Sequence, residues 1–175
     1  VLRPASVEAL SRALAALTGA GICVVARGGG LSYTDAYLAQ QPGTVLLDLA
    51  RLDRVIEINR SDRYVVVEAG CTWAALDAAL AAHDLRTPYW GPLSGLKATV
   101  GGALSQGSVF LGSGLHGSVG DSVLGLDVLA ANGELLRTGS AAAGNSAPFM
   151  RYFGPDLSGL FIGDAGALGI KVRAS

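Results

Sequence analysis

Glycine residues are concentrated in three places, each next to a predicted strand or short helix. The three clusters are Arg27-Gly28-Gly29-Gly30-Leu31-Ser32, Thr99-Val100-Gly101-Gly102 and Gly163-Asp164-Ala165-Gly166-Ala167-Leu168-Gly169. Glycine tolerates positive φ and lets another molecule contact the backbone, because it has no side chain. Consecutive free backbone N–H groups in such loops make a concave site for an anion, typically a phosphate or pyrophosphate. A single glycine run is more often a plain turn, but three together favour a large ligand laid along the backbone.

Few other side chains have the spacing of a reactive site. No Ser, His and Asp arrangement indicates acyl transfer, and no pair of carboxylates indicates glycoside hydrolysis. Cys23 and Cys71 have neither a CxxC spacing nor a neighbouring histidine, so no metal site is expected. The two cysteines could form one disulfide, but both lie in apolar stretches. This favours buried free thiols in a reducing compartment, which predicts a cytoplasmic protein.

The composition is that of a folded domain. Apolar residues make up 50% of the 175 residues and charged residues 15%, whereas ordinary globular domains contain roughly 25% charged residues. Disorder is therefore excluded, because enough apolar surface is present to offset the chain entropy. The net charge of −1 argues against nucleic acid and anionic lipid as partners. We expect no membrane span and no signal peptide, and the start at Val1 without a methionine predicts a piece of a longer chain.

Hydrophobic periodicity predicts both helices and strands. The predicted helices cover 6–19, 73–84 and a short turn at 99–105. The predicted strands cover 22–26, 44–49, 55–58, 64–69, 124–130, 134–138 and 170–172. Ser6 and Thr72 are predicted N-caps, and Asn132-Gly133 predicts a hairpin turn. The segment 86–123 is rich in glycine, serine and proline, and loops of this length usually have a function.

The glycine spacing does not fit a Rossmann dinucleotide fold. That fold needs a strand, a tight glycine loop, a helix and an acidic residue about twenty positions later. Gly163, Gly166 and Gly169 have a similar spacing, but they precede a predicted strand. Gly28 follows a strand, but no helix opens directly after its loop, and Asp48 falls within a predicted strand. We therefore exclude a Rossmann domain.

Four motifs, taken in order, resemble the FAD-binding domain of the vanillyl-alcohol oxidase and para-cresol methylhydroxylase (PCMH) flavoproteins. They are Arg-Gly-Gly-Gly-x-Ser after a strand, Thr-Val-Gly-Gly, His-Gly-x-x-x-Asp, and Gly-Leu-Phe-Ile-Gly-x-x-Gly-x-Leu-Gly-Ile. The family includes FAD-linked oxidases of the glycolate oxidase flavin subunit and D-lactate dehydrogenase kind. The resemblance runs over nearly the whole chain and implies a PCMH-type α+β fold. It implies a small strand–helix lobe over 1–60, a larger, mostly antiparallel lobe over 61–175, and FAD between the two.

The resemblance also implies which residues bind FAD. Matched position by position, they are Arg27, Gly28, Gly29, Gly30, Leu31, Ser32, Thr99, Gly101, Gly102, Gln106, Gly107, Ser108, Val109, Gly117, Asp121, Gly163, Gly166, Gly169 and Ile170. The first glycine loop would hold the pyrophosphate, Leu93 to Thr99 would lie beside the flavin, and the last motif would lie along the adenosine end. Some relatives carry a histidine bonded to the flavin where Leu31 stands, so the resemblance implies non-covalent FAD. Asp164-Ala165-Gly166-Ala167 replaces the more usual Ser-Glu-Gly-Thr, which changes the side-chain contacts there but not the backbone contacts.

The resemblance implies an oxidoreductase that oxidises an alcohol or a 2-hydroxy acid and passes electrons to oxygen or another acceptor. Members of the family usually continue into a second domain that supplies most substrate and catalytic residues, and this chain lacks that domain. The substrate site would therefore come from the missing domain or from a partner chain, and the chain alone would be catalytically incomplete. A non-catalytic FAD-binding scaffold or subunit is the alternative, and a phosphate-loop binder of another nucleotide is a third hypothesis.

His116 is the one catalytic candidate in the long glycine-rich segment. A histidine could stabilise negative charge on a reduced flavin or act as a base. A structural hydrogen bond is the alternative role for this residue. Tyr33, Asp35, Tyr89 and Trp90 could line the flavin or substrate side, although core packing is the commoner role for aromatic residues.

Overall fold

The computed structural model of the chain describes residues 1–89, 94–144 and 147–175. The helices in these ranges are α1 (Val7–Gly19), α2 (Trp73–Ala81), α3 (Val100–Ser105), α4 (Ser113–His116) and α5 (Leu157–Leu160). The strands are β1 (Val24–Arg27), β2 (Val45–Asp48), β3 (Val55–Asn59), β4 (Tyr64–Glu68), β5 (Leu126–Leu129), β6 (Leu135–Arg137) and β7 (Ile170–Ala174). The expectations for Trp90 and for Leu93, at the start of the segment beside the flavin, fall outside the described residues.

Helix α1 forms where the sequence predicts it, because its start and its apolar face are both encoded locally. Ser6 caps the helix, since its Oγ accepts the N–H of Ala9 at 3.2 Å. Three residues at helical spacing are buried on one face: Val7, Leu10 and Leu14. After the helix, Gly21 takes a φ of 70°, which redirects the chain into β1.

The small lobe consists of α1 and the parallel strands β1 and β2. Val24 lies opposite Val45 in this pair, and the N-terminal Leu2 adds a bridge to the far side of β2. Asp48, at the end of β2, forms an ion pair with Arg3, with 2.9 Å between Oδ2 and Nε. This carboxylate therefore has a structural role, in agreement with the exclusion of a Rossmann site.

The larger lobe is built on a five-stranded antiparallel sheet with the order β3-β4-β7-β5-β6. Two hairpins supply the outer four strands, and β7, the last strand of the chain, lies between them. The β5–β6 hairpin turns at Asn132-Gly133 as predicted, with the N–H of Gly133 donating to the carbonyl of Ala130 at 2.8 Å. Gly133 takes a φ of 83°, which suits a residue without a Cβ atom. The mixture of a small parallel and a larger antiparallel sheet confirms the predicted α+β class.

The boundary between the lobes lies earlier than the sequence predicts. Strand β3 pairs with β4 along its length, so it belongs to the large sheet. The expected division between 1–60 and 61–175 would separate two hydrogen-bonded strands of one hairpin. The small lobe therefore ends before Val55.

Two apolar clusters cover opposite faces of the large sheet. One joins α2 and α3 to the sheet and includes Trp73, Leu76, Val100, Leu104 and Val128. The other joins α1 and β2 to the sheet and includes Leu10, Leu14, Leu47, Leu129, Ile170 and Val172. Neighbouring residues of β5 enter different clusters because successive side chains of a strand point to opposite faces. The small lobe is thus attached to the large one through a shared core.

The long segment predicted as a functional loop contains short helices. Thr99 caps α3, which forms where the short helical turn at 99–105 is predicted. Helix α4 and a 3-10 turn at Val119–Ser122 follow it, and these two elements are too short for periodicity to reveal them. Among the described residues the longest helix is α1, with 13 residues, and no helix there has the length and apolar character needed to cross a bilayer.

We expect Leu10→Ala to lower the free energy of unfolding by about 2–5 kcal/mol, because it opens a cavity between α1 and the sheet. Leu10 is fully buried, whereas Leu115 in α4 is 83% exposed. The matched substitution Leu115→Ala should change the stability by less than about 0.5 kcal/mol. Chemical denaturation of the two variants checks this, and similar losses in both would contradict the shared core.

Candidate functional site

A cleft of about 470 Å³ lies between the small lobe and helix α3. Volumes of roughly 300–1,000 Å³ are typical of sites for small molecules and cofactors. Three segments form its walls: the loop 28–34 after β1, the segment 98–110 around α3, and the segment 165–171 that leads into β7. The three glycine clusters of the sequence thus meet at one place.

Gly28 and Gly29 let the first loop lie directly against the backbone that precedes α3. A Cβ atom at Gly29 would overlap the carbonyl oxygen of Lys97, and one at Gly28 would overlap the hydroxyl of Thr99. A carbonyl oxygen held by its own chain cannot rotate aside as a flexible side chain can. The close approach of the first two walls therefore requires glycine at position 29.

The N–H groups at the start of α3 are already used. Thr99 Oγ1 accepts the N–H of Gly102 at 3.2 Å. The N–H groups of Val100 and Gly101 donate to backbone carbonyls of the turn 69–71, at 2.9 and 2.8 Å. The first turn of this helix thus positions the wall and leaves these three donors engaged within the protein.

The loop after β1 differs from the start of α3 in how its backbone N–H groups are used. The backbone N–H groups of residues 28–33 donate no hydrogen bond to any residue in the described ranges. Gly30 takes a φ of 68°, which curves the loop around the cleft. Successive backbone N–H groups without a partner in a curved loop can form an anion-binding concavity.

Polar side chains connect the first loop to the end of α3. The hydroxyl oxygens of Ser32 and Thr34 lie 2.8 Å apart, and Thr34 Oγ1 donates to Gln106 Oε1 at 3.0 Å. Ser32 Oγ also accepts the N–H of Thr34 at 3.1 Å. This chain of hydrogen bonds links two cleft walls that are 72 positions apart in sequence, and it places hydroxyl groups beside the free N–H row.

Arg27 brings a positive charge to the back of the same loop. Its guanidinium lies against Gly30, where a Cβ atom would be 2.9 Å from Nε. It also lies 6.0 Å from the centre of the Tyr37 ring, within the range of a cation–π contact. Arg27 supports the loop from outside, because it is not among the described residues that line the cleft.

A buried ion pair organises the third wall. Lys171 Nζ lies 2.7 Å from Asp164 Oδ1, and the two side chains are 2% and 3% exposed. The same carboxylate accepts the N–H groups of Gly166 at 2.8 Å and Leu168 at 3.3 Å. Burial lowers the pKa of the Lys171 ammonium, while its hydrogen bond to Asp164 and the charge of that carboxylate act in the opposite direction. Asp164 thus holds the turn that contains Gly166 and Leu168 next to the Lys171 ammonium, through hydrogen bonds within the protein.

Most of the predicted site residues line this cleft. Those that do are Gly28, Gly29, Gly30, Leu31, Ser32, Thr99, Gly101, Gly102, Gln106, Gly107, Ser108, Val109, Gly166, Gly169 and Ile170. Those outside the described lining are Arg27, Gly117, Asp121 and Gly163. Gly163 is close behind the wall, since its N–H donates to the carbonyl of Leu104 at 2.9 Å. Asp121 instead caps the 3-10 turn, accepting the N–H of Ser118 at 2.6 Å, with Gly117 packed against it.

His116 and Tyr89 do not line the cleft. His116 is exposed, and its backbone carbonyl lies 3.0 Å from the hydroxyl of Tyr89. Tyr89 is buried in the core beneath α2 and α3. Tyr33 is the exception, because it lines the cleft and is fully exposed. Asp35 does not line the cleft and takes a φ of 54° in the turn that follows.

The two cysteines are free, as expected, but only one of them is buried. Cys71 is fully buried, and burial raises the pKa of its thiol to about 11. Cys23 is exposed, so the prediction that it is buried is wrong. It precedes β1 at a sheet edge, where an apolar sequence neighbourhood does not ensure burial.

Comparison with known proteins identifies the family of the chain. A family model described as FAD binding domain matches residues 1–139. The chain belongs to this family. The match includes two of the three cleft walls, and the FAD-binding domain so identified agrees with the resemblance carried by the four motifs.

Relatives of this FAD-binding domain are longer proteins. The chain is 30% identical over 174 residues to a glycolate oxidase subunit of Bacillus subtilis, covering 99% of this chain and 35% of that protein. It is 29% identical over 177 residues to a mitochondrial D-lactate dehydrogenase of Kluyveromyces lactis, covering all of this chain and 29% of that protein. The chain thus spans about a third of the length of these curated relatives.

A solved structure supports the fold independently. Alkyldihydroxyacetonephosphate synthase superposes on 99% of this chain with a TM-score of 0.83, and the matched part is 30% of that protein. The sequence identity is 21%, so the likeness is one of fold. It confirms the PCMH-type architecture for this FAD-binding domain.

Among the cleft residues that the sequence analysis does not predict, two have polar side chains that organise the walls. Lys171 lines the wall from within a strand, and Thr34 links Ser32 to Gln106. No motif marks either residue. Burial does not alternate along β7, so the sequence offers no signal for the position of Lys171.

We expect Gly29→Ala to lower the free energy of unfolding by roughly 1–3 kcal/mol, because the new methyl group overlaps the Lys97 carbonyl. Gly19→Ala is the matched control, since a Cβ atom there meets nothing within 4 Å and the residue is helical. That variant should be unchanged or more stable by up to about 1 kcal/mol. Equal stability of the two variants in urea titrations would show that the first two walls are not in contact.

Proposed function

We propose that this FAD-binding domain holds FAD non-covalently in the cleft, as part of a protein that oxidises an alcohol or a 2-hydroxy acid. The electrons would pass to oxygen or another acceptor. The residues proposed to hold the cofactor are Gly28, Gly29, Gly30, Leu31, Ser32, Thr99, Gly101, Gly102, Gln106, Gly107, Ser108, Val109, Gly166, Gly169 and Ile170. Arg27 and Gly163 would support these walls from behind, and Gly117 and Asp121 lie in a neighbouring turn.

The observation that carries the proposal is the row of free N–H groups at residues 28–33. FAD contains a pyrophosphate whose oxygens need hydrogen-bond donors once water is removed. The described lining includes one charged side chain, Lys171, which is already paired with Asp164. Neutral backbone donors would therefore provide much of the compensation for the two phosphate charges, as in other backbone anion sites.

The cleft also offers an apolar surface that suits a planar aromatic ring. The apolar residues in its lining include Leu49, Ala69, Ala98, Ala103 and Phe110. When bound, FAD supplies a ring that accepts a hydride or its equivalent from a substrate C–H bond. The part of this chain would be to hold the cofactor and exclude water, because its described cleft residues do not include a histidine or a carboxylate that could move a proton.

The side chains around the cleft support a non-covalent attachment. Leu31 occupies the first loop and has no nucleophilic atom. Neither cysteine lines the cleft within the described ranges, and the raised pKa of Cys71 makes its thiolate scarce at neutral pH. Two free cysteines also agree with the proposed cytoplasmic location, where thiols stay reduced.

The substrate class rests on the relatives. One is named a glycolate oxidase subunit and another a D-lactate dehydrogenase, and glycolate and D-lactate are both 2-hydroxy acids. Most of the length of these proteins has no counterpart in this chain. Residues that select and orient the substrate would therefore lie in a second domain or a partner chain.

A FAD-binding scaffold without its own catalytic site is the second candidate. The observation in its favour is an exposed apolar group around α4: Val109, Leu111 and Leu115 are 73%, 71% and 83% exposed. Exposed apolar groups of this kind often mark a surface that another domain or subunit covers. A steady-state assay with FAD, 2-hydroxy acids and an artificial acceptor separates the two candidates when it uses the longer protein that contains this chain, because the first candidate predicts turnover there and the scaffold predicts none.

We expect the purified chain to show a flavin absorption spectrum, either as isolated or after incubation with FAD. After denaturation and filtration the chromophore should pass the filter, because no covalent bond holds it. A chain that stays colourless in excess FAD would overturn the proposal. Flavin retained with the denatured protein would overturn only its non-covalent part.

We expect Leu31→Asp to weaken FAD binding by about tenfold or more, because it places a carboxylate beside the proposed pyrophosphate site. Leu38→Asp is the matched control. The two leucines are 41% and 44% exposed, but only Leu31 lines the cleft. Quenching of flavin fluorescence gives both dissociation constants, and equal effects of the two substitutions would place the phosphates elsewhere.

A further inference from the structure

The third wall of the cleft contains a buried charge that the glycine clusters do not explain. Lys171 is the one charged residue in the described lining, and its side chain is 2% exposed. A lysine in a cofactor cleft can serve the fold, by bracing the wall, or the ligand, by donating to it. The two roles differ in what the ammonium group touches.

A β-bulge aims this side chain towards α3. Asp127 of β5 lies opposite Arg173, but the next residue, Val128, lies opposite Lys171, so Val172 is an extra residue on β7. A bulge of this kind reverses the alternation of side chains on one side of it. Lys171 therefore shares the sheet face of Val128, which packs in the α2–α3 cluster. Without the bulge it would point to the opposite face, with Arg173.

The two members of the ion pair are unequally satisfied. Asp164 accepts from Lys171, from the N–H of Gly166 and from the N–H of Leu168, so both of its oxygens are engaged. The Lys171 ammonium has three donors. Asp164 Oδ1 is its single acceptor among the described residues. Two buried, charged N–H groups without an acceptor are unfavourable unless a ligand supplies one.

We propose that Lys171 is a cofactor-specificity residue, whose ammonium donates to oxygen atoms of the phosphate-bearing half of FAD, with Asp164 as its positioning partner. This inference rests on the proposed function, because it needs FAD in the cleft. Charge favours a phosphate over the uncharged parts of the cofactor as the acceptor, since hydrogen bonds between two ionised groups are the stronger ones. Lys171 would then distinguish FAD from flavins that lack phosphate.

The test compares Asp164→Asn with the double variant Asp164→Asn, Lys171→Met. Asparagine retains an oxygen acceptor for the loop N–H groups, so neither variant buries an unpaired carboxylate. Dissociation constants for FAD and for riboflavin, which lacks phosphate, are measured at pH 7 by flavin fluorescence. Thermal unfolding without flavin reports the integrity of the fold, and the single variant Lys171→Met reports the cost of leaving Asp164 unpaired.

We expect Lys171→Met, introduced into the Asp164→Asn background, to weaken FAD binding by about tenfold or more. Riboflavin binding should change by less than about twofold, because riboflavin offers no phosphate to the ammonium. Unchanged FAD affinity in that comparison would overturn the proposal and leave the pair with a structural role alone. Equal losses for FAD and riboflavin would also overturn it, since they indicate a general change of the cleft.

The proposed function and this inference can fail separately. If the wild-type chain binds neither flavin, FAD binding itself is rejected, and the Lys171 proposal is rejected with it. If the wild-type chain binds FAD and the paired variants bind it equally well, only the Lys171 proposal fails.

If the double variant unfolds, Lys171→Gln in the Asp164→Asn background replaces it. Glutamine keeps a polar head group without a charge, so we again expect FAD binding to weaken by about tenfold or more relative to Asp164→Asn alone.

Discussion

Backbone contact between the loop after β1 and the segment before α3 is the constraint on which the cleft depends. Gly28 and Gly29 lie so close to Lys97 and Thr99 that no side chain fits between them. The contact brings a loop of the small lobe against a helix of the large lobe, and the cleft opens beside it. The N–H groups of this loop donate no hydrogen bond to any described residue, although the loop lies against the other wall.

The described lining of the cleft contains a single charged side chain. The described lining combines neutral N–H groups, hydroxyl groups and small apolar side chains with one ammonium, which is paired. A neutral cradle avoids the large desolvation penalty of several buried cations, and it holds its geometry when no anion is present. The buried Asp164 carboxylate is stabilised by hydrogen bonds that also shape the glycine turn. The same groups therefore serve local folding and the electrostatics of the site.

Strand β7 connects the two hairpins of the large sheet. It is the last strand in sequence, yet it pairs with both hairpins and contributes to both apolar clusters. Its bulge turns Lys171 towards α3 while Ile170 and Val172 face α1. The end of the chain thereby places the third glycine cluster beside the first two. The third wall of the cleft therefore depends on the pairing of β7 with strands distant in sequence.

Local signals in the sequence determined the helices α1 and α2, the two hairpins, the family and most of the residues that line the cleft. These features depend on neighbours in sequence: a cap hydroxyl such as Ser6, apolar periodicity, a turn glycine, or a motif of fixed order. Only the tertiary structure decided that β3 belongs to the large sheet, that Gly117 and Asp121 lie outside the cleft, and that Lys171 lies within it. Those outcomes depend on strand pairing, on a bulge and on contacts between residues distant in sequence. No local pattern encodes them, because a register shift of one residue moves a side chain to the opposite face of a sheet.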